Sequence, residues 1–191
     1  MDPELGRRSV AALAGRRVDA DHAAESHFPL SEVARVAKEL RARFKHCSVG
    51  HLVSSAACGA DLLALESAIS MGITITVVLP SPPLVFRSTS VVDRPGNWGT
   101  LFDSIVAAAE QHQRLIVLQF AANDPMGYRA ANEVIVQRAK DYQLSTKVGF
   151  ALWDGKPRGA SDSTAHFLKL VTEAHFQQEV IDTLGGYSAD H

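Results

Sequence analysis

The chain has 191 residues, enough for one domain that buries its own core, and its 46% hydrophobic and 21% charged residues are those of an ordinary globular protein. A formal charge of −2, with no basic stripe interleaved with aromatics, argues against a nucleic-acid backbone as partner. Cys47 and Cys58 are the only cysteines, too few for a disulfide scaffold and without CxxC spacing, so a reduced cytoplasmic setting is expected.

Arg7-Arg8 and the apolar stretch after it resemble a short signal peptide, but Arg16-Arg17 follow at once, so Ser9 to Gly15 reads as a first buried strand. No apolar run approaches the roughly 20 residues of a membrane helix, and no membrane partner is expected. A polar loop through Asp21 and His22 reaches His27-Phe28-Pro29. Ser31 is then placed to cap a helix whose Val33, Val36, Ala37, Leu40 and Phe44 recur at helical spacing. Strand two is Ser48 to Ser54, followed by a small-residue turn and a helix from Asp61 to about Ser70, ended by Gly72. Strand three is Ile73 to Leu79, rich in β-branched residues and stopped by Pro80. Ser81 to Gly99, with Pro82, Pro83, Pro95 and Gly96 among its residues, reads as a long loop with one turn of helix. A helix from Trp98 to His112, strand four from Leu115 to Phe120, a helix from Tyr128 to Tyr142 and strand five from Val148 to Trp153 follow. A last helix carries Ala165, Phe167, Leu168 and Val171, and Val180-Ile181 makes a short final strand.

This alternation predicts an α/β fold, a three-layer, doubly wound parallel sheet of about six strands with helices on both faces and right-handed crossovers. A single domain over 7–184 is expected, with frayed residues 1–6 and a disordered tail over 185–191.

In a parallel sheet the carboxyl ends of all strands share one edge, so loops distant in sequence meet there. The candidate ligand-binding residues are therefore Gly15, Arg16 and Arg17 after strand one, and Ser54, Ser55, Cys58, Gly59 and Asp61 after strand two. Ser90 joins them after strand three, and Asp154, Gly155, Gly159, Ser161, Asp162, Ser163 and Thr164 after strand five. Two loops on this edge open helices, at Asp61 and at Asp162 or Ser163. Unpaired N–H groups and the positive end of the dipole suit an anion there. Arg16 and Arg17 are suited to pair with phosphates or to make plain ion pairs. Asp61 either caps its helix or faces the ligand. Glu66 is either half of a core ion pair or a catalytic carboxylate. Cys58 lies at a helix N-terminus, where a thiolate is favoured, but has no histidine beside it in sequence. Phe86, Trp98 and Trp153 are large enough to stack on a base or to fill the core. The eight histidines show no metal-ligand spacing, and the Walker and dinucleotide glycine fingerprints are absent, so no metal and no cofactor is implied.

As an ordered set, several segments resemble the SLOG family. They are Gly15-Arg-Arg-Val-Asp19, His27-Phe-Pro29, Ser54 to Glu66, Val78-Leu-Pro80, Phe86 to Val91, Trp98 and Trp153 to Ala165. This Rossmann-like superfamily of nucleotide-ligand sensors includes the LOG phosphoribohydrolases and DprA-type DNA-processing proteins. The resemblance covers roughly residues 9 to 183. It implies a domain that senses a nucleotide or a nucleotide derivative such as an NAD- or ADP-ribose-like molecule. It also implies a signalling role in bacteria, with a homodimer and an effector partner or fusion left open. LOG enzymes cleave an N-glycosidic bond with a Gly-Gly-x-Gly-Thr-x-x-Glu loop. Here the corresponding position after Thr164 is Phe167, so a hydrolase would need Glu66 or Asp61 as its carboxylate. Arg129 or Asn132 is a further candidate for reaching the ligand, and a protein-interaction module with a degenerate pocket is the third reading.

Overall fold

The computed structural model describes residues 9–159 and 161–185. Six parallel strands are β1 (Ser9–Gly15), β2 (Val49–Ser54), β3 (Thr74–Leu79), β4 (Leu115–Val117), β5 (Thr146–Leu152) and β6 (Gln177–Ile181), in the order β4-β3-β2-β1-β5-β6. The helices are α1 (Val33–His46), α2 (Ala60–Ser70), α3 (Pro83–Ser90), α4 (Trp98–Gln111), α5 (Pro125–Asp141) and α6 (Ser163–Glu173). On one face α1, α2 and α4 bury Leu40, Phe44, Leu62, Leu65, Phe102 and Ile105 against the sheet. On the other, α5 and α6 bury Ala131, Ile135, Phe167 and Val171. The doubly wound three-layer sheet is thus the observed architecture. The chain leaves β1 toward β2, β3 and β4 and returns to β5 on the other side. The connections after β1 and β5 therefore diverge and open a crevice at the carboxyl edge, where such sheets take ligands.

Several boundaries differ from the sequence expectation. Ser81 to Gly99 holds α3, two turns long, because Pro82 and Pro83 start that helix instead of interrupting it. A proline in the first turn forfeits no intrahelical bond and has its φ already set. Pro125 does the same for α5, which begins three residues before Tyr128, capped by Asp124 accepting from the Met126 N–H at 2.9 Å. Ser31 is not a cap. Leu30–Glu32 form a 3-10 turn without a side-chain cap bond and run straight into α1. The β4 ladder ends at Val117 rather than Phe120, after which the Leu118 and Phe120 N–H groups donate to the Leu79 and Pro80 carbonyls as the chain peels away. β6 begins at Gln177, and its polar edge residues hid it from a hydrophobic pattern. The expected fraying of residues 1–6, the domain start at residue 7 and the tail beyond Gly185 lie outside the described residues.

The first turn of α2 is pressed against the sheet at Gly15. A Cβ there would lie 2.5 Å from Ala60 Cβ and 2.7 Å from the Leu152 carbonyl oxygen. Gly15→Ala is expected to lower stability by about 1–3 kcal/mol through overpacking, read as a lower urea midpoint. An unchanged midpoint would mean that α2 can slide away at no cost.

Candidate functional site

At the carboxyl edge the loops form a cleft of about 510 Å³, a size ordinary for small-molecule sites. Among its lining residues are Gly15 and Arg17 after β1, Ser55, Ala57 and Asp61 after β2, and Phe86 and Ser90 of α3. Tyr128 and Asn132 of α5 and Arg158, Ser161, Asp162, Ser163 and Thr164 after β5 complete the ring.

The β1 loop divides its two arginines. Arg16 turns inward and is wholly buried. Its Nε donates to Asp154 Oδ1 at 2.9 Å, its Nη1 to Asp162 Oδ2 at 2.7 Å, and its Nη2 to the Lys156 carbonyl. The Trp153 ring lies behind it, 5.6 Å from Cζ. Arg16 is therefore a clamp between the β1 and β5 loops and does not line the cleft. Arg17 turns outward and pairs with Asp93, with Nε 3.5 Å from Cys58 Sγ. The loop beyond is closed by Asp19, whose Oδ1 accepts from the N–H groups of His27 and Phe28, both at 3.0 Å.

Gly59 brings α2 up to this loop. Its φ of +95° suits only glycine, and a Cβ would lie 2.6 Å from the Val18 nitrogen. Ala60 then donates its N–H to the Arg16 carbonyl at 3.0 Å. Asp61 follows in the first turn, 7% exposed. Its Oδ2 accepts from the Ala57 N–H at 3.2 Å, while its buried Oδ1 has no partner. Burial pushes this carboxyl up to about 7, against the pull of the Ala57 N–H and of the Arg17 charge.

The far wall is tied in by hydrogen bonds. Cys58 N–H donates to the Ser90 carbonyl at 2.9 Å. Ser90 Oγ and the Tyr128 hydroxyl are 3.1 Å apart, and Asn132 Nδ2 donates to the Ser163 carbonyl at 2.8 Å. Asp162 caps α6, accepting from Ala165 N–H at 2.9 Å and from Arg158 N–H at 2.7 Å. Burial alone would raise Asp162, but these N–H groups and Arg16 hold it below the usual carboxylate range. Asp154 is held low in the same sense against burial by His27, whose Nδ1 lies 2.6 Å away, and by Arg16.

Of the residues expected from sequence, Gly15, Arg17, Ser55, Asp61, Ser90, Ser161, Asp162, Ser163 and Thr164 meet at the cleft. Arg16 and Asp154 lie behind it. Ser54 is buried, its Oγ donating to the Leu13 carbonyl at 3.2 Å. Cys58 is buried, and burial raises its thiol despite Arg17, so the thiolate expected of a helix N-terminus is not favoured. Gly59 serves backbone packing, while Gly155 and Gly159 take positive-φ turns with open space around them. Glu66 is exposed, not a core carboxylate, and lines a separate depression with Leu30 and Trp98 on the outer side of α2. A pattern of apolar neighbours misplaced it, because α2 is apolar on most of its circumference except there. Trp98 is core, donating Nε1–H to the Pro95 carbonyl at 2.8 Å. Sequence reasoning missed Tyr128, whose spacing of four from Asn132 puts both on one side of α5. Another depression, of about 430 Å³ and lined by Thr76, Arg114 and Tyr142, lies toward the amino ends of β3 and β4, away from these loops. Among the described residues no group of three His, Cys, Asp or Glu side chains is placed to hold a metal ion, and no helix is long and apolar enough to cross a membrane.

Fold and cleft together define a Rossmann-like α/β domain with an open site at its switch point. No protein-family model and no curated protein matches the sequence. The fold does match a solved structure, the X-ray structure of DNA processing protein A (DprA) from Streptococcus pneumoniae. The TM-score is 0.56 at 17% identity, over 98% of this chain and 53% of that one. The chain thus spans about half the length of that protein, and at this identity the likeness is one of fold. It is the DprA-like Rossmann fold that the SLOG resemblance implies.

Proposed function

We propose that the domain is a ligand sensor that binds a nucleotide or nucleotide-derived molecule, NAD- or ADP-ribose-like or a nucleoside phosphate, in the carboxyl-edge cleft. The observation that carries this reading is the opposed chemistry of the cleft walls. On one side the first turn of α6 and Arg158 face the space. Asp162 there is balanced chiefly by Arg16 and caps Ala165, with Arg158 Nε only at 3.9 Å from it, so Arg158 and the Ser163 and Thr164 N–H groups can turn to an anion. On the other side the half-buried Tyr128 offers ring surface for a base, with Phe86 buried in the wall behind the cleft. Arg17 and Arg158 are the arginines of the cleft wall, and a net charge of −2 favours a small ligand over a polynucleotide.

A thermal-shift screen against AMP, ADP, ATP, NAD and ADP-ribose tests it. A ligand at 100 times its dissociation constant adds about 2.7 kcal/mol, which raises Tm by roughly 5–10 °C for a chain of this size. Ser161→Glu, an exposed change that puts a negative charge at the α6 mouth, is expected to abolish the shift with little effect on the free protein. No shift with any of the five nucleotides would sink the proposal.

A second reading, hydrolysis of a nucleotide N-glycosidic bond, is favoured by Asp61 alone, a cleft carboxyl held near neutrality where proton exchange is efficient. Phe167 is fully buried in the α6 core, so no acid stands at the position used by the LOG loop. Base release in the same assay, lost in Asp61→Asn, would establish the enzyme.

A further inference from the structure

Two carboxylates line the cleft, and only one has its oxygens satisfied. Asp162 accepts from Ala165 and Arg158 N–H groups and from Arg16. Asp61 leaves a buried Oδ1 without a donor, an arrangement that costs free energy in the empty protein. Three donors of the cleft wall are engaged elsewhere. Arg17 is held by Asp93 and Cys58, and Ser90 and Tyr128 hold each other. None of these donates to Oδ1, which leaves it open to a donor from an occupant of the cleft. It is not the ligand's anionic end, since Asp61 itself sits in the first turn of α2 and its Oδ2 already takes the Ala57 N–H. The anion belongs at α6 and Arg158.

Resting on the nucleotide reading above, we propose that Asp61 reads the sugar end of the ligand, its free Oδ1 accepting a hydrogen bond from a ribose hydroxyl. A hydroxyl donating to this oxygen favours the carboxylate, so the proton that Asp61 carries in the empty cleft near neutral pH passes to solvent on binding. The charged groups around it are few. Arg17, backed by Asp93 and Cys58, approaches from the β1 loop, and Arg158 and Asp162 line the cleft from the β5 loop. α5 contributes the uncharged Tyr128 and Asn132, and α3 the uncharged Ser90.

The test is calorimetric titration of wild type and Asp61→Asn with AMP between pH 6 and 8, in two buffers of different ionisation enthalpy, with 2′-deoxy-AMP and 3′-deoxy-AMP alongside. The amide does not titrate, and both proteins share the ionisation of the AMP phosphate, so the difference between them isolates Asp61. AMP affinity in wild type is expected to rise about tenfold more over this range than in Asp61→Asn, with close to one proton released. At least one deoxy analogue should bind wild type about tenfold more weakly. Identical pH profiles in the two proteins, or equal binding of all three ligands to wild type, would overturn the inference while leaving the nucleotide reading in place. Absence of AMP binding at every pH would remove both for this ligand, and the thermal-shift screen then decides the nucleotide reading separately.

Discussion

Arg16→Ala is expected to destabilise the protein by about 3–5 kcal/mol, the cost of stripping a buried charge cluster of its cation. The guanidinium has no exposed surface and holds Asp154 at 2.9 Å and Asp162 at 2.7 Å together with the Lys156 carbonyl. Without it both carboxylates remain buried, with desolvation opposed by His27 and a backbone N–H on Asp154 and by backbone N–H groups and the more distant Arg158 on Asp162. The pH dependence should change with it. In wild type both carboxyls sit below their usual range, so the stability they contribute is complete above that range and is lost as pH falls through their folded values. In the variant burial dominates and pushes the two acids up, so stability should instead fall as pH rises from 5 to 8. Urea unfolding at the two ends of that range reads the effect. Arg16→Lys should recover little of it, since an ammonium cannot span two carboxylates and a carbonyl as a fixed fork does. A midpoint within about 1 kcal/mol of wild type would show that the clamp is dispensable.

Asp61→Asn should have the opposite sign. The folded-state carboxyl is raised from 3.8 to about 7, so the fold favours its neutral form. That contribution is whole below about 4 and is lost as pH climbs through 7. Above that, ionised Asp61 burdens the native state by up to about 4 kcal/mol. The amide resembles the neutral carboxyl in shape and keeps an acceptor for Ala57. Asp61→Asn is therefore expected to raise Tm by several degrees at pH 8, with the gain shrinking toward zero near pH 4. Equal Tm values for the two proteins at both pH values would mean that water or rearrangement already satisfies the carboxylate. A substitution that stabilises while impairing binding marks a residue kept for function at a cost to the fold.

Much of the fold was legible because its strands are buried on both faces and read as apolar runs, as β1 and β3 do, and because strand ends and helix starts converge by topology alone. β6 was barely legible, since its Gln177, Gln178 and Glu179 lie on an edge and carry no apolar pattern. α3 was expected as one turn and not two because a proline pair reads as a break unless the first helical turn is known to fall there. For the site, the sequence pointed to the right edge but could not tell which of two adjacent arginines faces the ligand. Arg16 and Arg17 alternate across the sheet end, and only the positions of Asp154 and Asp162, more than 130 residues further on, draw one of them inside. Glu66 failed for a related reason. Helix α2 is buried on most of its circumference, and its narrow exposed stripe of Glu66, Ile69 and Ser70 includes an apolar residue, which blurs the amphipathic pattern that would have placed Glu66 outside.

The segment between Asp154 and Asp162 is pinned at both ends, and at the Lys156 carbonyl between them, by the same guanidinium, while a Cβ at Gly155 or Gly159 would meet open space. It is in effect a strap with two fixed buckles and a replaceable band. Its exposed side chains point away from the sheet contacts, so exchanging them should spare the sheet and the capping of α6, provided the two aspartates and the Lys156 and Arg158 backbone keep their places. Because the band borders the cleft through Arg158 and Ser161, rewriting it is a direct route to altering what the domain selects while its scaffold stays the same.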